Sequence, residues 1–282
     1  MEDPFVYLNG AMTPLSEAKV SVLDRGFIFG DGIYEVIPVY GRKPFRPAQH
    51  LSRFFRGIEA VDIRNPYSEA EWLALVDKVV QAAPTEDQLA YLQITRGPAP
   101  RTHAFPAQEP QPTVFLMSNP LNPPTPAMLE NGVACVTMED KRWLRCEIKS
   151  ISLLGNVLAA QNAAAQQANE TIQFRDGSLT EGSSSNVWIV KDGTLLGPPV
   201  DNLILEGIRY HLIAELCEAN GIPFESRRIA RNEVFAADEV LLSSAGKEIL
   251  PVASIDGRTV GNGKPGPIFK KLYASYQIAK RA

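Results

Sequence analysis

Cysteine and histidine are scarce in this chain of 282 residues, which contains three of each. The cysteines Cys135, Cys146 and Cys217 form no C-x-x-C pair and lie near no histidine cluster. Neither a zinc site nor a disulfide framework is therefore indicated, and no metal is expected. No charge of one sign dominates, because 28 basic and 32 acidic residues give a net charge of −4. Without a block of basic residues, binding to nucleic acid or to an anionic membrane is not expected.

Long apolar runs are also missing from the chain. No run approaches the roughly 18 residues that a membrane helix needs. The N-terminal segment, M-E-D-P-F-V-Y-L-N-G, is acidic and lacks the apolar region of a secretion signal. We therefore expect a soluble cytoplasmic protein with reduced, partly buried thiols. The hydrophobic content of 45% is ample for a core in one large domain or two medium ones.

The spacing of apolar residues predicts a mixed chain of the α/β (α+β) class without internal repeats. Three turn signals, N-G at 9–10 and D-G at 192–193 and 256–257, favour antiparallel pairing over a doubly wound parallel sheet. Ser68 with Glu71 fits a capping box at the start of a helix. Strands are predicted at 6–8, 33–39, 89–95, 113–117, 133–138, 171–174, 185–190 and 240–243, and helices at 48–61, from 68 onward, and at 153–168, 207–220 and 267–279.

A cluster of prolines suggests where two domains meet. The segment N-P-L-N-P-P-T-P, at 119–126, has four prolines in eight residues. Since proline cannot donate a backbone hydrogen bond, such a segment is typical of an irregular connection. We expect a small N-terminal α/β domain at 1–118, a linker at 119–127 and a large C-terminal α/β domain at 128–282.

Two residues stand out as candidates for chemistry. Lys149 lies in W-L-R-C-E-I-K-S, between an apolar segment and a predicted helix, where partial desolvation would favour imine chemistry. By position alone, a surface lysine at a helix start is the commoner interpretation. Glu181 lies in L-T-E-G-S-S-S-N-V, before a small-residue turn with the hydroxyls of Ser184 and Ser185. By pattern alone, this is a polar loop that enters a strand.

Two further segments could bind an anion. A helix predicted to begin near Leu205 would present the free N–H groups of Ile208 and Arg209. The segment L-L-S-S-A-G, which contains Ser244 and Ala245, ends an apolar strand with small residues that allow close backbone approach. Each signal is weak by itself, because many helices begin after a polar turn.

Three basic side chains could bind anionic groups. Arg53 falls opposite the apolar stripe of its predicted helix, and this periodicity indicates a solvated arginine. Arg101 and His103 lie in a proline-rich loop that follows a strand, Q-I-T-R-G-P-A-P-R-T-H. An arginine suits bidentate binding of a carboxylate and a histidine adds a donor. Two polar loop residues in water are the alternative.

Four segments taken together resemble the fold-type IV enzymes that depend on pyridoxal 5'-phosphate (PLP), and within them the D-amino acid aminotransferases. The resemblance covers nearly the whole chain, and several ordered matches are more specific than any single motif. The matching segments are D-R-G-F-I-F-G-D-G-I-Y-E-V at 24–36, T-R-G-P-A-P-R-T-H at 95–103, R-W-L-R-C-E-I-K-S at 142–150 and T-E-G-S-S-S-N-V at 180–187.

The resemblance implies a role for each candidate. Lys149 would carry PLP as a Schiff base and act as the general acid and base, and Glu181 would pair with the pyridine nitrogen. The remaining cofactor contacts would come from Arg53, Ser184, Ser185, Ile208, Arg209, Ser244 and Ala245, and the substrate carboxylate would be held by Tyr34, Arg101 and His103. The resemblance further implies two α/β domains with the cofactor between them. It also implies a homodimer in which the loop with Arg101 reaches the partner's site.

The expected reaction is transamination between D-amino acids, such as D-alanine, and 2-oxo acids, such as 2-oxoglutarate. Two departures from the family pattern are Arg209 and Ala245, which replace threonines and so remove two hydroxyls on the phosphate side. Arg209 would either compensate with its charge or point away. The alternatives are a branched-chain L-amino-acid aminotransferase, an aminodeoxychorismate lyase and a catalytically silent α/β binding protein.

Overall fold

The computed structural model describes residues 3–281, and the contacts within it divide the chain into two units. The first unit contains the described residues up to Leu121 together with Ile148–Leu153. The second contains Asn122–Glu147 and the described residues from Leu154 onward. The short segment Ile148–Leu153 therefore belongs with the N-terminal part of the chain, which a division at one linker did not anticipate. The predicted domain limits themselves stay a prediction.

The first unit is built on a six-stranded sheet in the order β2-β1-β6-β5-β3-β4, in which every pairing is antiparallel. Its elements are β1 (Phe5–Leu8), β2 (Ala11–Pro14), α1 (Arg25–Phe29), β3 (Gly32–Tyr40), β4 (Lys43–Pro44), α2 (Pro47–Ala60), α3 (Glu69–Ala82), β5 (Gln88–Thr95) and β6 (Thr113–Pro120), with a 3-10 turn at Leu15–Glu17. Alternate residues of β3 and β5 point inward, where they form one apolar core with the buried faces of α2 and α3.

The second unit contains a nine-stranded mixed sheet in the order β12-β11-β10-β13-β14-β7-β8-β9, with β15 paired to β14. Its elements are α4 (Pro126–Asn131), β7 (Val133–Glu139), α5 (Leu154–Ala165), β8 (Glu170–Arg175), β9 (Ser178–Gly182), β10 (Asn186–Lys191), β11 (Thr194–Gly197), α6 (Ile208–Ala219), β12 (Phe224–Ser226), α7 (Arg231–Phe235), β13 (Glu239–Ser244), β14 (Glu248–Ile255), β15 (Arg258–Thr259) and α8 (Pro267–Ala279). Three pairings are parallel: β11 with β12, β14 with β7, and β7 with β8.

The predicted turn signals are confirmed as hairpins. The N-G turn joins β1 to β2, and the two D-G turns join β10 to β11 and β14 to β15. At each turn both central residues have positive φ, for example 47° at Asn9 and 102° at Gly10. These are the values that asparagine, aspartate and glycine adopt most readily. The mixed α/β class is therefore confirmed, as is the capping box of Ser68 and Glu71 at the start of α3.

Around the predicted linker at 119–127, β6 continues to Pro120 and α4 begins at Pro126. Proline fits both places. Pro120 ends β6 beyond the part that is paired with β1, and Pro126 occupies the first helical position of α4. The helix predicted at 153–168 ends at Ala165. Among the described residues, no helix has the length and apolar character to cross a membrane.

Candidate active site

Lys149 lies in an extended segment that is fixed to the open edge of β3. The amide of Tyr34 donates to the carbonyl of Lys149 at 3.0 Å, and the amide of Ile151 donates to the carbonyl of Gly32 at 3.0 Å. This pairing places the half-buried Lys149 side chain over the ring of Tyr34, with Nζ 4.2 Å from the ring centroid. Two predicted site residues are thus in contact.

Arg53 is buried, so the prediction of a solvated arginine is wrong. Its Nε donates to Oε2 of Glu35 at 2.8 Å and its Nη2 donates to Oε1 at 2.6 Å. His50 Nδ1 lies 3.0 Å from the same Oε1. Burial acts to raise the pKa of Glu35, but the charges and hydrogen bonds of Arg53 and His50 outweigh it and lower that pKa. Helical periodicity missed this because the partner carboxylate is on a different element, β3.

Arg101 and His103 are exposed in the loop between β5 and β6, and one aromatic ring brings them together. The ring centroid of Phe29 lies 5.4 Å from that of His103 and 5.3 Å from Cζ of Arg101. A guanidinium over an aromatic face is a favourable arrangement that still leaves its edge donors available. The two side chains thus form one polar patch on the surface of the first unit.

Glu181 is a buried carboxylate in β9 of the second unit. Its Oε1 accepts from Nη1 of Arg142 at 2.5 Å, and its Oε2 accepts from the amide of Leu205 at 3.0 Å and from Asn186 at 3.4 Å. Burial raises the pKa of Glu181, against the opposing charge of Arg142. A carboxylate accepts about four hydrogen bonds. These three donors leave room for one more.

Arg142 is itself held by a second carboxylate. Its Nε donates to Oδ1 of Asp140 at 2.9 Å and its Nη2 donates to Oδ2 at 2.8 Å, in a bidentate pair. Thr180 donates to the same Oδ2 at 2.9 Å. Burial acts to raise the pKa of Asp140, but the hydrogen bonds and charge of Arg142 lower it overall. Asp140 therefore fixes the orientation in which Arg142 donates to Glu181.

The N-terminus of α6 is connected to Glu181 through the preceding turn. Gly207 is the N-cap residue and provides no side-chain cap to the first turn, which begins at Ile208. Asn186 donates to the carbonyl of Leu205 at 2.9 Å. A Cβ at Gly207 would lie 2.1 Å from Oδ1 of Asn186, so a larger residue there would have to displace the Asn186 side chain.

The side chain of Arg209 points into the interior of the second unit. Its Nη2 donates to the carbonyl of Ala245 at 3.2 Å and to the hydroxyl of Tyr276 at 3.1 Å. Arg209 and Ala245, the two departures from the family pattern, are therefore in contact with each other. Both alternatives for Arg209 therefore stay predictions.

The serines of the β9–β10 turn are fixed by a buried glutamate that the sequence did not single out. Glu170 accepts from the amide of Ser183 at 2.9 Å, from the Ser183 hydroxyl and from the Ser185 hydroxyl at 2.7 Å. Lys247 forms an ion pair with Glu170 and also donates to the hydroxyl of Ser184 at 3.2 Å.

Lys247 also links this turn to the next predicted cofactor segment. Its amide donates to the hydroxyl of Ser244 at 3.1 Å. Ser184 and Ser244 therefore contact the same residue, although they are far apart in sequence.

Sequence patterns missed the ionic residues that contact these candidates. Glu35 carries the only usable signal, because it interrupts the apolar run I-Y-E-V-I at an inward position of a strand. For Asp140, Arg142, Glu170 and Lys247 the chain offers no spacing or periodicity that points to their partners. Each pairs with a residue on a distant segment or across a turn, and only the folded backbone specifies those contacts.

The sequence profile of the amino-transferase class IV family matches residues 32–255, which is most of the chain. The chain belongs to this family. Among similar proteins, the D-alanine aminotransferase of Staphylococcus aureus is 43% identical over 272 residues, covering 96% of each chain. That of Bacillus licheniformis is 41% identical over 273 residues, covering 96% of this chain and 95% of the relative.

Solved structures confirm the fold-type IV architecture of this aminotransferase. The branched-chain amino acid aminotransferase of Escherichia coli superposes with a TM-score of 0.92 at 25% identity, covering 98% of this chain and 94% of that one. Class IV aminotransferases depend on PLP, and PLP is the cofactor of this chain. The second unit contains two groups that fit this cofactor. Glu181 is a buried carboxylate that can accept a further hydrogen bond, as a pyridinium nitrogen requires. The N-terminus of α6, to which it is linked through Leu205, has no side-chain cap, as a phosphate site requires.

Proposed function

We propose that this class IV aminotransferase transfers amino groups between D-amino acids, such as D-alanine, and 2-oxo acids, such as 2-oxoglutarate. The observation that carries the proposal is the pairing of Arg101 and His103 over the ring of Phe29. Both side chains suit a substrate carboxylate, and an apolar side-chain pocket would leave them without partners. The similarity to D-alanine aminotransferases at 41–43% identity supports the same substrate class.

We assign the cofactor contacts as follows. Lys149 would hold PLP covalently through Nζ, and Glu181 would accept a hydrogen bond from the ring nitrogen and keep it protonated. Its raised pKa suits this task, because a more basic carboxylate shares a proton more strongly. The phosphate contacts are assigned to Arg53, to the amides of Ile208 and Arg209, and to the segment with Ser244 and Ala245, while Ser184 and Ser185 line the adjacent turn.

Lys149 moves the proton in this proposal. When bound, the cofactor supplies an electron sink for the charge that remains after the α-proton leaves. Once the substrate amine has displaced it from the cofactor, Nζ of Lys149 would remove that proton from the substrate and deliver it on the cofactor side, and water would then release the 2-oxo acid. Tyr34 lies under Nζ at 4.2 Å and therefore restricts the lysine to one face. Tyr34, Arg101 and His103 bind the α-carboxylate and so orient the proton toward Lys149.

We further propose a cytoplasmic homodimer in which the Arg101 loop serves the partner's site. Large apolar side chains on the surface of each unit support an interface, because exposed apolar groups gain free energy when a second copy covers them. They are Val20, Val22, Leu23 and Phe27 in the first unit and Trp143, Leu144, Leu154, Val157 and Leu158 in the second. The exposure of Arg101 and His103 in a single chain supports the same arrangement.

A substrate panel tests the proposed function. The PLP-loaded enzyme is mixed with D-alanine or L-leucine, without an acceptor, and the cofactor absorbance is followed. We expect D-alanine to react at least about 100-fold faster, since a carboxylate fixed by Arg101 and His103 directs the α-proton of only one enantiomer toward Lys149. Activity confined to L-leucine would show the branched-chain class, which the similar Escherichia coli structure represents. Pyruvate release from aminodeoxychorismate would show the lyase, and a protein that stays colourless with PLP would be no enzyme.

A further inference from the structure

The loop that carries Arg101 and His103 has little structure of its own. It connects β5 to β6, and residues 101–105 are all exposed and belong to no helix or strand. An exposed segment without regular hydrogen bonds samples many conformations. A carboxylate site needs its donors held within a fraction of an ångström. Something in the first unit must therefore hold the backbone of this loop.

The guanidinium of Arg25 is bonded to three consecutive carbonyls of that loop. Its Nη1 donates to the carbonyl of Thr102 at 2.7 Å and to that of Ala104 at 3.4 Å, and its Nη2 donates to that of His103 at 3.3 Å. Arg25 lies in α1 and is 3% exposed, so these bonds are shielded from water. The same guanidinium lies 4.8 Å from the ring of Phe29, on which Arg101 and His103 rest.

Asp31 fixes the orientation of the Arg25 guanidinium. Nε of Arg25 donates to Oδ2 of Asp31 at 2.8 Å. Arg96 donates to both oxygens of Asp31, at 2.8 and 3.0 Å, and also stacks over Phe105 at 3.7 Å. One carboxylate thus orients two arginines, and together they contact the loop at residues 102–105.

We infer that Arg25 is a positioning residue for substrate binding, which holds Arg101 and His103 in place through the loop backbone. This inference rests on the proposed role of that pair as the carboxylate site. Arg25 contacts backbone carbonyls rather than the side chains of Arg101 and His103, so it sets their position and leaves their chemistry unchanged. Only a planar guanidinium spans three carbonyls and a carboxylate at once, whereas the ammonium of lysine is a point donor.

The test compares Arg25→Lys and Arg25→Gln with Arg42→Gln. Arg42 is a matched control, because it also bonds a carboxylate, Glu86, and a carbonyl, that of Val80, but it lies in the β3–β4 turn. In both Arg25 variants we expect KM for D-alanine to rise about tenfold while kcat changes much less. The carboxylate contact is made equally in the ground state and the transition state, and weakening such a contact raises KM alone. Arg42→Gln keeps the KM of the unmodified enzyme.

Hydrogen–deuterium exchange supplies a readout independent of activity. We expect faster exchange of the amides at 101–105 in both Arg25 variants, with unchanged exchange in β3 and β5. If Arg25→Gln does not fold, Arg25→Lys and Asp31→Asn test the same contacts with less disruption. Unchanged KM and unchanged loop exchange in the folded variants would overturn the inference.

Arg101→Ala separates this inference from the proposed function. If Arg101→Ala raises KM for D-alanine and Arg25→Lys does not, the positioning role of Arg25 is wrong and the carboxylate role of Arg101 stands. If Arg101→Ala leaves KM unchanged, the proposed carboxylate site is wrong, whatever the Arg25 variants do to loop exchange.

Discussion

Glu181 and Arg142 form a buried ion pair in which Nη1 donates to Oε1 at 2.5 Å, with each side chain only 8% exposed. The pair counteracts the burial that raises the pKa of Glu181 and so keeps a carboxylate available in the protein interior. Asp140 accepts two hydrogen bonds from the other edge of the same guanidinium. The acid–base character of the proposed ring-nitrogen partner is therefore set by two residues outside its own motif.

We expect Arg142→Met to destabilise the enzyme strongly, because it leaves the buried carboxylate of Glu181 without its cation and leaves Asp140 paired with Arg175 alone. Removing one partner of a buried pair costs about 3–5 kcal/mol. Urea unfolding measures the loss. Arg145→Gln is the matched control, since Arg145 lies three residues after Arg142 and pairs with Glu147 but is 54% exposed. An exposed pair contributes at most about 1 kcal/mol, and equal losses in both variants would contradict the buried-pair interpretation.

Lys149→Ala should lose both the covalent link to PLP and the proton transfer. Reduction with borohydride followed by peptide mass spectrometry should find the cofactor on Lys149 in the unmodified enzyme. The variant should carry none there, and amino transfer should slow by at least about 100-fold, as expected for loss of a general acid–base group. Lys141→Ala, an exposed lysine in the same segment, should keep both properties. A cofactor trapped on another lysine of the unmodified enzyme would refute the assignment.

Glu35 should make the enzyme sensitive to acid. Its pKa is lowered in the folded state, where Arg53 and His50 favour the carboxylate. The stabilisation is therefore present above the unfolded pKa of about 4.3 and is lost as the pH falls toward the folded pKa. We expect the melting temperature to drop between about pH 5 and pH 3, and Glu35→Gln to start lower and drop less.

The control for this pH dependence is Glu86→Gln, because Glu86 pairs with Arg42 at a side chain that is 71% exposed. Its melting temperature should follow that of the unmodified enzyme across the same pH range. A Glu35→Gln variant with an unchanged acid slope would show that other carboxylates cause the acid sensitivity.

Gly207→Ala should weaken PLP binding, because the added Cβ would lie 2.1 Å from Oδ1 of Asn186. Asn186 would have to leave the carbonyl of Leu205, and the start of α6 would shift with it. We expect the Kd for PLP, measured by absorbance titration of the apoenzyme, to rise at least about tenfold. Gly193→Ala strains a hairpin turn with φ of 78° but meets no atom within 4 Å, so it should lower stability and leave Kd unchanged.

Local sequence accounts for most elements of this fold. The N-G and D-G turns, the capping box at Ser68 and the apolar spacing of α2 and α3 each act over a few residues, so their signals are complete within the chain segment. Short elements such as α1, β9 and β15 were not predicted. Of these, α1 depends on a distant segment, since the amide of Arg25 donates to the carbonyl of Gly97, whereas β9 pairs with β8 across the turn at Asp176 and Gly177, a local signal that the sequence prediction did not use.

The sequence by itself determined the family, the candidate residues and the mixed α/β class, because ordered motifs and local periodicity survive without coordinates. Only the tertiary structure decided which charges are buried and what they contact. Arg53, which periodicity predicted to be solvated, is the buried partner of Glu35. Glu181 proved to pair with Arg142, and the loop that carries Arg101 proved to be hydrogen-bonded by Arg25. These contacts join residues from separate segments, and the free energy of a buried charge depends on neighbours that no single segment contains.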